Sequence, residues 1–92
     1  MKISNVVAEH GFAPSQLGEI ENAKLYARHN EDGVMELLCV QKVGNVMRVD
    51  RQPLLPFSTD EFPMFLPIGT GVRNQIVPRD SLEDYLNITL AV

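Results

Sequence analysis

The chain has 92 residues, 45% of them apolar and 22% charged, with twelve acids against eight bases and a net charge of −4. A chain this short builds one hydrophobic core, its composition excludes disorder along its whole length, and its acidity argues against a phosphate-backbone partner, so nucleic acid is not expected to bind. A single cysteine excludes an internal disulfide and any multi-cysteine metal site. Charge is spread evenly: residues 1–46 and residues 47–92 each carry six acids and four bases. No acidic tail or basic arm nominates a partner.

Residues 1–22 read as a weakly structured segment of a single domain spanning 1–92. Ser4 and Asn5 interrupt the apolar stretch that a secretory leader would need. No apolar run approaches the roughly 18–20 residues that cross a bilayer. A cytoplasmic location follows as the expectation, with no membrane partner. Lys2–Ala8 suggests a weak strand, and Glu9–Ile20 a loop or one helical turn beginning near Ser15.

Residues 23–51 predict an antiparallel meander. Ala23–Arg28 alternates, with Leu25 and Ala27 on one side and Lys24, Tyr26 and Arg28 on the other. Asp32-Gly33 supplies a turn, because glycine enters positive φ without a Cβ clash. Val34–Val43 is too apolar for a strand with one buried face, which predicts a central strand covered on both. Gly44-Asn45 turns again, and Val46–Arg51 alternates with Arg48 and Asp50 outward. A helix over 15–29 competes, since Leu17, Ile20 and Lys24 recur at helical spacing, but Gly18 and Asn22 weaken it.

Residues 52–78 hold five of the six prolines and three of the four phenylalanines. Proline lacks the amide proton that a central strand or helix interior needs. So much apolar surface does not belong to a solvated linker. An extended cover is expected, lying either on the chain's own sheet or on another protein. Around Gly69-Thr70-Gly71 a turn would join 64–68 to 72–77 as a hairpin. Asp80 and Glu83 have the spacing of a capping box for a short helix near 80–87, with Leu82, Tyr85 and Leu86 on one face and Tyr85 anchoring it to the sheet. Ile88, Leu90 and Val92 then alternate, which predicts a terminal strand available for pairing. The fold class is therefore mostly β or α+β.

Reactive chemistry is sparse. Cys39, His10 and His29 form the one mixed ligand set, at separations matching no zinc pattern. Cys39 lies between Leu38 and Val40, where a buried inert thiol is expected. Asp60-Glu61 and Glu83-Asp84 are adjacent pairs whose side chains diverge, so neither makes a proton-sharing dyad. Gly69-Thr70-Gly71 lacks the lysine and hydroxyl residue of a phosphate-binding loop. No cofactor, metal or catalytic residue is nominated, and an enzyme is not expected.

What remains is contact. The expected function is a non-enzymatic structural or assembly protein, either a homo-oligomer or a component of a virion or other large complex. Its contacts would come from Phe57, Phe62, Phe65, Leu66, Ile88 and Leu90. The competing expectation is a small cytoplasmic inhibitor or immunity-type protein that blocks an enzyme by surface binding.

Overall fold

A computed structural model describes residues 3–15, 22–29, 33–58, 63–69 and 71–91, with the backbone alone at 56–58 and 63–65. Helix α1 (Ile3–Ala8) is followed by strands β1 (Ala13–Pro14), β2 (Ala23–His29), β3 (Met35–Val43), β4 (Val46–Ser58), β5 (Pro63–Pro67) and β6 (Val72–Pro78). A 3-10 turn (Arg79–Ser81) then leads into helix α2 (Leu82–Leu90). The protein is mostly β, built on an antiparallel meander with one short C-terminal helix.

The meander is where alternation and turn residues place it. β2 pairs β3 in a register that sets Tyr26 beside Leu38, and β3 pairs β4 with Val40 beside Val49. Gly33 and Gly44 turn at positive φ. Tyr26, Leu38, Val40, Met47, Val49 and Val77 form the core face of the sheet. Val6, Val7 and Phe12 at the front of the chain and Leu82, Leu86 and Leu90 of α2 pack on it. Both helices therefore lie on one face. Burying such side chains stabilises the fold by about 2 kcal/mol each.

Several expectations need correction. The front of the chain is helical, because Ile3, Val6 and Val7 recur at spacings of three and four and share one face. The Phe12 amide donates to the Val7 carbonyl (3.1 Å) and the Gly11 amide to the Ala8 carbonyl (3.0 Å), with Gly11 at φ 86°. That is the Schellman ending, in which glycine takes the left-handed position and an apolar residue follows. The expected capping box does not form: Asp80 falls inside the 3-10 turn, and α2 begins after Ser81 without a side-chain cap. The expected terminal strand is also wrong. Helix continues to Leu90, because Leu82, Leu86 and Leu90 recur every four residues and all point into the core. Tyr85 does pack against that core.

Prolines do not end β4, which runs thirteen residues through Pro53 and Pro56. Pro53 still contributes its carbonyl, which accepts the Ile68 amide at 3.0 Å. The expected hairpin between 64–68 and 72–77 does not exist either. β5 pairs with residues 54–58 of β4 and β6 with residues 46–51, so the two lie along different lengths of the same long strand. At roughly 3.3 Å per residue β4 spans about 43 Å, close to the 45 Å long axis of the molecule. Finally, β3 is central and buries Leu38 and Val40 on its helix-side face; on the other face Met35 is buried with its partner Leu54, whereas Leu37 and Cys39 are half-buried.

Candidate functional site

Two features stand out, a polar cluster beneath the helices and a set of exposed apolar side chains spread over several elements. The first is a closed ring of polar contacts. Glu36 on β3 accepts from Arg28 Nη2 of β2 (2.7 Å) and from Arg51 of β4 through Nε (2.6 Å) and Nη2. Arg51 Nη1 also donates to the Thr89 carbonyl in the last turn of α2 at 2.8 Å. The last four carbonyls of a helix lack intrahelical partners, and a cation there opposes the helix dipole. α2 has no base in its own last turn, so the sheet supplies one. Arg28 Nη1 donates to the His10 carbonyl at 2.9 Å, and its guanidinium lies 4.5 Å from the centre of the Phe12 ring. His10 Nε2 lies 3.0 Å from Asn87 Oδ1, which returns the ring to α2.

Burial alone would raise the Glu36 carboxyl. The hydrogen bonds and charges of Arg28 and Arg51 outweigh it and hold that carboxyl below the ordinary carboxylate range. A carboxylate locked between two guanidinium groups is a poor proton carrier, so the ring ties elements together and does not present a reactive centre.

The second feature is apolar. Leu55 and Leu66 are cross-strand partners on β4 and β5, 41% and 44% exposed. Ile76 on β6 is 53% exposed and Ile88 on α2 is 77% exposed. On the sheet face away from the helices, Leu25 pairs with Cys39 and Ala27 with Leu37, all half-buried. Among the described residues no helix lies over that face. The Cys39 thiol is pushed up first by burial and then by the Asp50 charge, with Arg48 acting against them. That keeps it protonated and unreactive at neutral pH.

The six expected contact residues are therefore not one patch. Leu66 and Ile88 are exposed on separate elements, whereas Leu90 is buried in the chain's own core. Phe57 and Phe65 lie on neighbouring strands β4 and β5, where only their backbone is described. Phe62 lies outside the described residues. Leu55 and Ile76 were missed. Leu55 hid in a proline-rich stretch that reads as irregular and has no polar–apolar alternation to say which side faces out.

Among the described residues no three His, Cys, Asp or Glu side chains converge as a metal site, and no helix is long and apolar enough to cross a membrane. His10 and Cys39 sit on different elements with different partners. Comparison with protein-family models, with curated proteins and with solved structures gave no match.

Proposed function

We propose that this chain is a non-enzymatic structural or assembly protein that acts through protein–protein contacts, associating first with itself. The carrying observation is the distribution of apolar side chains. Leu55, Leu66, Ile76 and Ile88 stand exposed while the core beneath the helices is complete without them. Scattered surface leucines are ordinary, but cross-strand pairs on an extended sheet mark surface that another chain can cover. Leu66 and Ile88 are the proposed contacts retained from the sequence, with Leu55 added to them. The polar side chains are occupied in holding the fold, as the Arg28–Glu36–Arg51 ring illustrates.

The test is the mass of the pure chain by light scattering in the micromolar range. A particle heavier than one chain, dissociating on dilution, is expected. A strict monomer across that range overturns the proposal, as does turnover of a small molecule that is lost on changing His10 or His29.

A further inference from the structure

The sheet face away from the helices carries its charge in one place. β4 puts Arg48 and Asp50 on that face, two residues apart, in register with Gln41 and Cys39 of β3. Around them β2 and β3 contribute half-buried Leu25, Leu37 and Cys39, and Val43 is 47% exposed. Arg48 and Asp50 are the charged side chains inside this face among the described residues. Arg73 stands at its rim, reaching Gln52 Oε1 at 3.4 Å. Asp50 Oδ1 accepts the Asn74 amide at 2.8 Å, so Arg48 is the less satisfied member of the central pair. Arg48 Nε lies 3.1 Å from Asp50 Oδ2, yet it is buried without a hydrogen-bond partner among the described residues. The Arg48 side chain remains 40% exposed.

We propose that this face docks onto the same face of a second copy of this chain, forming a helix–sheet–sheet–helix dimer. The proposal rests on the self-association reading above and adds a separate surface to it; of the exposed apolar side chains named there, this surface includes Ile76, the β6 partner of Arg48. Charge selects the symmetry. A two-fold axis running along the strands would stack Arg48 on Arg48. An axis running across the strands, level with Val49, stacks Arg48 of each copy over Asp50 of the other. That operation uses each charge pair twice and leaves no like charges opposed. It also sets Leu37 opposite Val43 of the second copy and Leu25 opposite Ala23, with the sheets about 10 Å apart and aligned within about 30°.

Area sets the strength. Strands β2, β3, β4 and β6 span roughly 19 Å across and seven residues span roughly 23 Å along, on the order of 450 Å² a side. The total lies just under the roughly 1,000 Å² that marks the lower bound of specific interfaces. The dimer is therefore weak and reversible, with a micromolar dissociation constant.

The experiment is sedimentation velocity of the whole chain from roughly 1 to 100 micromolar, with circular dichroism to check that each variant folds. The unmodified chain should pass from monomer to dimer. Arg48→Asp alone and Asp50→Arg alone should each raise the dissociation constant at least about tenfold, because each opposes like charges across the axis. An equimolar mixture of the two variants should recover the dimer, since every facing pair is then of opposite sign. A second measurement needs no substitution. Cys39 is the sole cysteine, and the two copies of it would lie roughly 12 Å apart. Both would be enclosed between the sheets, so the slow alkylation of Cys39 by a monofunctional maleimide should slow further at dimer concentrations and recover on dilution. A dimer indifferent to both charge reversals, with Cys39 alkylated equally fast at both concentrations, overturns this surface and leaves the contact reading standing. A chain monomeric at the top of the range overturns both.

Discussion

Replacing Glu36 by Gln removes the hub of the polar ring and retains the shape of the side chain. Glu36 is about one-fifth exposed, as are its partners Arg28 and Arg51. Breaking a fully buried ion pair costs about 3–5 kcal/mol and an exposed pair about 0–1 kcal/mol. At this depth the two severed contacts together should cost about 2 kcal/mol. For a domain of this size that lowers Tm by about 10 °C. Urea denaturation monitored by circular dichroism reads the loss as a lower midpoint at unchanged slope.

The pH dependence carries a sign. The folded carboxyl titrates below its unfolded value of about 4.3, so its contribution is complete above that pH and fades as pH falls through the lower folded value. The stability gap between the natural chain and Glu36→Gln should be full at neutral pH and close on acidification. Arg51→Met combined with Glu36→Gln should cost less than the sum of the two, because they remove one shared contact. A loss below about 0.5 kcal/mol, or a gap that stays constant down to pH 3, would refute the reasoning.

Leu90→Ala should cost about 3 kcal/mol by thermal melting at any protein concentration, because Leu90 fills the core. Ile88→Asp should shift the melt by less than about 0.5 kcal/mol; a terminal strand would have made the two equivalent. Gly71→Ala should cost about 1–3 kcal/mol, because the added Cβ would press on the Arg51 carbonyl and lie 2.9 Å from Gln52 Oε1. Hydrogen exchange should show the β6 amides losing protection in that variant. Alkylation of Cys39 at neutral pH should run at least about tenfold slower in the folded chain than in denaturant and accelerate as pH rises.

The meander was legible because two independent signals agree there. Period-two alternation places the strands, and Asp32-Gly33 and Gly44-Asn45 place the turns. At residues 86–92 the alternation of Ile88, Leu90 and Val92 competed with the four-residue spacing of Leu82, Leu86 and Leu90, and packing on the sheet decided for the helix. At residues 3–8 the helix is too short for propensity to reveal, but Gly11-Phe12 marked its end. The prolines misled in a different way. Each proline removes a single donor from the ladder, and β4 extends past both, with Pro53 still beside Glu36 of β3 and Pro56 beside Phe65 of β5. The ring around Glu36 was invisible because register alone brings residues 28, 36, 51 and 89 together. The apolar excess of β3 was read as cover on two faces; the second face is closed at Met35 and half-open at Leu37 and Cys39.

The core has a further consequence for the order in which it can form. Val6 and Val7 lie about 80 residues before Leu82, Leu86 and Leu90 in the chain, yet they meet on the same face of the sheet. Strands β2, β3, β4 and β6 wait for α2 before their shared core face is sealed, and contacts that distant in the chain slow the closing step. Until α2 docks, Leu38, Val40, Val49 and Val77 lack part of their cover, and an open apolar sheet face is the kind of surface through which folding intermediates aggregate.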